Sequence, residues 1–168
     1  MRKTVAKLSH RHLPSPKPAS VAVATIGATL GIGLLGWVGA LSALKLLVAP
    51  MGASSVLLFS VPASPLSQPA NVVLSHILAA LVGLAVGMVL PGSFAGAGLA
   101  VGLSIAAMMA VRVTHPPAGA MALVAWSVAA DKPAFLASVF LASLLLVASA
   151  VVWHRITGAS YPLKPAGT

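Results

Sequence analysis

The chain has 168 residues, 59% of them hydrophobic and 7% charged, with a mean hydropathy of +1.04. A soluble domain needs roughly 25% charged residues to keep its surface in water, so lipid is the solvent for most of this one. Cysteine is absent and Asp131 is the one acidic residue, which excludes disulfides, thiolate chemistry, carboxylate metal cages and paired-carboxylate catalysis.

The net charge of +9 is concentrated at the ends. Arg2, Lys3, Lys7, Arg11 and Lys17 open the chain, and Arg155 and Lys164 close it. Basic flanks of this kind face the cytoplasm under the positive-inside rule, with anionic headgroups as a secondary attraction. The bilayer is therefore the expected partner of these charges, and nucleic acid is not.

Residues 1–20 carry Pro14, Pro16 and Pro18 and read as a disordered basic tail. Val21 to Leu44 is a charge-free run long enough to span about 30 Å of hydrocarbon. It stops at Lys45. A short apolar piece, Gly52 to Val61, leads to a turn containing Pro62, Pro65, Gln68 and Pro69. Asn71 to Leu90 is the second full span, followed by a Pro91-Gly92 turn. Ser93 to Val111 is the third, ending at Arg112. After Thr114-His115-Pro116-Pro117 comes a second short apolar piece, Ala118 to Ala130, stopped by Asp131-Lys132-Pro133. Ala134 to Trp153 is the fourth span, and 154–168 reads as a basic C-terminal tail.

A shift of 67 positions lays Pro50-Met51-Gly52-Ala53 on Pro117-Ala118-Gly119-Ala120 and Lys45 on Arg112. It also places Phe59-Ser60-Val61 on Trp126-Ser127-Val128 and Gly31 on Gly98. The pattern predicts an internal duplication, with units of about 21–90 and 93–153 inside a 21–153 transmembrane domain. Two topologies fit. Re-entrant short pieces give four spans and parallel units; crossing short pieces give six passes and inverted units. Both place the termini in the cytoplasm. The favoured expectation is an all-α bundle of four transmembrane helices plus two short broken helices.

Two short helices starting Pro-x-Gly-Ala would point their first N–H groups and the positive ends of their dipoles into the bundle. With Lys45 and Arg112 beside Gly52 and Gly119, these ends would form an electropositive funnel for a small anion. His115 adds a donor that can take charge. Against this stands a plainer reading, in which both cations snorkel to headgroups and Pro50, Pro116 and Pro117 only delimit helices. His76 lies within a span, where an imidazole either finds a structural partner or lines a pathway. His76 and His115 alone make an incomplete metal site, so no metal or cofactor is expected. His10, His12 and His154 fall in polar tails and are expected to be solvated. Asn71 is expected to cap the second span, and Gln68 to cap it or contact substrate. Gly27/Gly31, Gly83/Gly87 and Gly98/Gly102 have GxxxG spacing, which packing within the bundle explains.

Taken together, the stretch from Pro50 to Phe59, the Pro62–Pro69 turn, Asn71, His76 and His115-Pro116-Pro117-Ala118-Gly119-Ala120 closely resemble the HPP family of integral membrane proteins. The resemblance runs from about Val21 to Trp153. It implies a four-span bundle in the bacterial inner (plasma) membrane and, because some plastid and cyanobacterial members are implicated in nitrite transport, a small-anion substrate such as nitrite. In the family an arginine commonly follows the Gln-Pro pair and a glycine precedes the histidine; this chain has Ala70 and Ser75 there. A cation is thereby lost near Gln68. The second function expected is a structural or regulatory membrane subunit. An enzyme is not expected, since no nucleophile–base–acid set is visible. So small a bundle encloses little room, and a homo-oligomer is reasonable.

Overall fold

A computed structural model describes residues 10–11, 14–42, 44–128 and 131–164. Arg2, Lys3, Lys7 and His12 lie outside the described residues. Among the described residues all regular structure is helical: α1 (Pro18–Ser42), α2 (Ala49–Ser60), a 3-10 turn (Pro65–Ser67), α3 (Pro69–Val89), α4 (Phe94–Ala110), α5 (Pro117–Trp126) and α6 (Lys132–Thr157). Proline stands in the first two positions of five of the six α-helices because a helix start has no use for its missing N–H: Pro18 in α1, Pro50 in α2, Pro69 in α3, Pro117 in α5 and Pro133 in α6, and Pro65 opens the 3-10 turn.

Among the described residues, α1, α3 and α6 are the 3 helices long and apolar enough to cross a membrane by length and composition. The predicted third span forms α4, whose 17 residues reach about 26 Å, a few ångströms short of the hydrocarbon thickness. Both short apolar pieces are helical, with 12 residues in α2 and 10 in α5. Several boundaries move: α1 begins at Pro18, inside the expected tail, α2 begins at Ala49, α5 ends at Trp126, and α6 begins at Lys132 and runs past Trp153 to Thr157.

Residues 154–161 of the expected tail pack onto the bundle through His154 and Tyr161. His154 is 1% exposed, and its Nε2 donates to the Leu58 carbonyl at 2.8 Å. Tyr161 is buried and donates its hydroxyl to the Ser67 carbonyl at 2.9 Å; burial pushes the phenol pKa above its ordinary value, keeping it a donor. The Leu163 N–H donates to Gln68 Oε1 at 2.8 Å. The expectation of a solvated His154 fails because α6 continues by one turn and holds that ring against Phe59 and Tyr161.

These contacts also give each helix its direction. In α1, Gly27 faces Trp153 and Gly31 faces Ser149, so α1 and α6 are antiparallel. Gly39 of α1 meets Leu44 and Leu46, while Gly31 meets Phe59, so α2 runs back along α1. Its far end, Leu58, reaches His154 near the end of α6. The next residues, Ser67 and Gln68, bind the C-terminal segment. The chain thus passes from one end of the bundle to the other through α2. In the second half, Asn71 binds Thr114, Gly83 meets Ala122 and Gly87 meets Trp126, so α5 runs parallel to α3 from end to end. The two short helices do not turn back within the bundle: among the described residues the six helices alternate in direction. The stretch 44–48 before α2 and the turn 61–64 after it add reach that a 12-residue helix lacks.

Helix α3 packs on α4, α5 and α6, and α6 packs on α1, α2 and α3; α1–α2, α4–α5 and α2–α5 complete the principal pairs. Exchanging α1 with α4, α2 with α5 and α3 with α6 turns this set of pairs into itself. The core where the halves meet contains Leu58, Val72, Ala79, Ala118, Met121 and Leu146.

Candidate functional site

The polar centre is built by three elements. Ser54 stands one turn into α2, His76 two turns into α3, and His115 in the loop that α4 leaves before α5 begins. All three are 0% exposed. His76 Nδ1 donates to the Val72 carbonyl at 2.8 Å, and His115 Nδ1 donates to the Leu66 carbonyl at 2.8 Å. A carbonyl only accepts, so these bonds place the ring hydrogen of each neutral imidazole on Nδ1 and leave Nε2 with its lone pair. Both Nε2 atoms point at one hydroxyl. Ser54 Oγ lies 2.9 Å from His115 Nε2 and 3.3 Å from His76 Nε2, and also 2.9 Å from the Pro50 carbonyl. The two rings tilt by 53° with centroids 5.2 Å apart.

Local structure explains how His115 arrives there. Helix α4 ends in a left-handed residue, Arg112 (φ 61°), with Val113 N–H bound to the Met108 carbonyl at 2.9 Å and Arg112 N–H to Met109 at 3.1 Å. That double bond pattern is the Schellman stop. It turns the chain back towards α3, where Asn71 Nδ2 donates to the Thr114 carbonyl at 3.0 Å. Asn71 is therefore a clamp on the histidine loop and not the cap of α3, whose N-cap position is Gln68. The Gln68 amide is likewise spent: Nε2 donates to the Pro62 and Ser64 carbonyls and Oε1 accepts from Leu163.

The electropositive funnel does not form as expected. Lys45 shares a cleft of about 320 Å³ with Asp131, Ala134 and Phe135 at the start of α6. Arg112 leads into His115, which binds Leu66 beside the C-terminal segment, at the other end of α6. Both cations are exposed. The helix starts are also partly satisfied internally: Ala118 and Gly119 donate to the His115 and Pro116 carbonyls, and Met51 to Val48. Gly52 and Gly119 have nothing within 4 Å of an added methyl, so neither marks a close approach. Gly119 instead borders an apolar groove of about 520 Å³ between α4 and α5, with Thr114 and Pro116.

Sequence reasoning missed Ser54. Its only signal was a hydroxyl four residues after Pro50 in an apolar helix, which looks the same as a serine bonded to its own backbone. Ser54 Oγ and His115 Nε2 are within hydrogen-bond reach, a contact the sequence did not make visible. Among the described residues no group of three or more His, Cys, Asp or Glu side chains gathers to hold a metal.

The His-Pro-Pro loop, the buried His76 and the broken helices form one unit, and a comparison of the sequence with known families decides what that unit is. The HPP transmembrane region matches residues 13–162. The chain belongs to the HPP family. Two transmembrane proteins of Dictyostelium discoideum are similar to part of it, one 40% identical over 85 residues and the other 43% over 82. Those matches cover 48% and 46% of this chain but only 30% and 26% of the relatives, so the chain spans under a third of the length of the curated relatives it matches. No solved structure matches. This HPP protein is thus a membrane protein whose signature histidine is joined through Ser54 to His76.

Proposed function

We propose that this HPP protein carries a small inorganic anion, with nitrite the leading candidate, across the plasma membrane. One observation carries the reading: imidazoles from both halves of the chain converge on a single hydroxyl, fully occluded inside an apolar bundle. Polar side chains that face one another at membrane depth are costly and generally mark a solute or ion path. His76, Ser54 and His115 are the substrate contacts. Asn71 holds the loop, Arg112 draws anions towards the near end, and Lys45 does the same at the opposite end. The mirrored set of helix pairs and the alternating directions support a duplicated, inverted pair of three-helix units, with the substrate site at their junction. The basic flanks support both termini in the cytoplasm.

Nitrite influx into liposomes tests the proposal, at high pH so that neutral nitrous acid is scarce, with empty liposomes and the His115→Ala variant beside wild type. Saturable influx that falls at least tenfold in the variant is the expected result, the loss of about 1.4 kcal/mol or more of interaction. Influx equal to that of empty liposomes, from folded protein, contradicts it. The competing reading, a structural or regulatory subunit, draws on Gln68 and Asn71, whose amides are engaged in holding turns together. It predicts no flux from the purified chain and co-purification with a larger partner.

A further inference from the structure

The hydrogen count of the His76–Ser54–His115 cluster does not close. Both Nδ1–H groups are committed to carbonyls, so both Nε2 lone pairs face inward. One Ser54 hydrogen then faces three acceptors: His76 Nε2, His115 Nε2 and the Pro50 carbonyl. An unmatched buried lone pair is unfavourable. A single added proton satisfies both rings. One Nε2–H then donates to Ser54 Oγ, and the Ser54 hydrogen goes to the other Nε2, giving a continuous chain.

That proton creates a buried positive charge. The surroundings offer nothing to balance it: α2, α4 and α5 carry no ionisable side chain, and α3 carries only His76. From α6, His154 is bound to Leu58, Arg155 is exposed and Lys132 lies in the first turn, capped by Asp131. Tyr161 is held on Ser67, and Lys45 and Arg112 are exposed. An isolated charge at such a place is expensive. An anion entering the proton-free cluster fares no better, because it meets two lone pairs. Together, proton and anion are neutral, and the Nε2–H of the protonated ring, shared between Ser54 Oγ and the anion, supplies the donor that the anion needs.

We propose that the His76–Ser54–His115 cluster is a joint site for one proton and one small monovalent anion, each binding only with the other, so that the two move without net charge. This rests on the transport reading above and specifies its coupling. By linkage, bound anion raises proton affinity by the same factor that bound proton raises anion affinity.

The test has two arms. In the first, nitrite is added to purified protein in detergent, lightly buffered near neutral pH, and proton uptake is read with an indicator dye. Wild type should take up about one proton per chain as nitrite binds; His76→Gln and His115→Gln should take up none. Ser54→Ala, which keeps both rings, should lower the uptake, and circular dichroism verifies that each variant is folded. In the second arm, nitrite influx into liposomes is measured while potassium and valinomycin set the voltage, with the leak of empty liposomes subtracted. Influx that ignores voltage and brings one proton per nitrite supports the joint site. Nitrite binding without proton uptake, or influx that follows voltage, overturns it and leaves anion transport standing. Proton-linked binding with no influx upholds the joint site and overturns transport. Folded protein that binds neither nitrite nor a proton overturns both.

Discussion

Arg112 has two roles that a single substitution can separate. It closes α4 in a left-handed conformation, φ 61°, where glycine is the usual residue. It also places a cation three residues before His115. Arg112→Gly removes the charge while suiting the backbone; Arg112→Ala removes the charge and keeps the strain. Both should lower nitrite influx several-fold if the charge draws anions in. Thermal unfolding in detergent should show the glycine variant more stable than the alanine variant by about 0.5–1 kcal/mol. Lys164→Ala, in the exposed C-terminal segment, should leave influx unchanged, and equal losses from Arg112→Ala and Lys164→Ala would contradict the role given to Arg112. His76, His115 and Asn71 were legible as special residues because a polar group in an apolar run has to find a partner. Their shared partner was not legible, because a helical serine usually bonds its own backbone, and Ser54 does that as well.

The helices were largely legible, since apolar runs, prolines and glycine turns mark their ends. Which glycines bring helices together was not, because GxxxG spacing does not tell which face is covered. A methyl at Gly83 would run into the Ala122 carbonyl of α5, and one at Gly87 would stand 2.5 Å from the Trp126 carbonyl oxygen. Gly98 and Gly102 of α4 have the same spacing, yet nothing lies within 4 Å of either. They correct the expectation that packing inside the bundle explains all three pairs. Gly83→Ala should therefore destabilise the protein by about 1–3 kcal/mol, since backbone cannot yield as a side chain can. Gly98→Ala should leave stability unchanged or slightly raised. Unfolding curves in one detergent compare the two, and similar losses would contradict the α3–α5 contact.

At the scale of the whole molecule, charge counting could not choose between four and six passes, because both put the basic tails on one side. The direction of each helix was legible only from contacts far apart in sequence, such as Leu58 with His154 and Leu163 with Gln68. Because the chain has no cysteine, single cysteines can be placed at will. Ser60→Cys, at the end of α2, and Ser127→Cys, just after α5, should react with an impermeant thiol reagent from opposite sides of the membrane; re-entrant helices would label from the same side. In the proposed transport, His76, Ser54 and His115 work as one unit across the junction of the two halves. Nitrite influx through Ser54→Ala, His76→Gln, His115→Gln and their pairwise combinations tests that most directly. Parts of one unit are not additive, so each double variant should be no worse than its weaker single variant. Losses that multiply independently, or a Ser54→Ala variant as active as wild type, would contradict it.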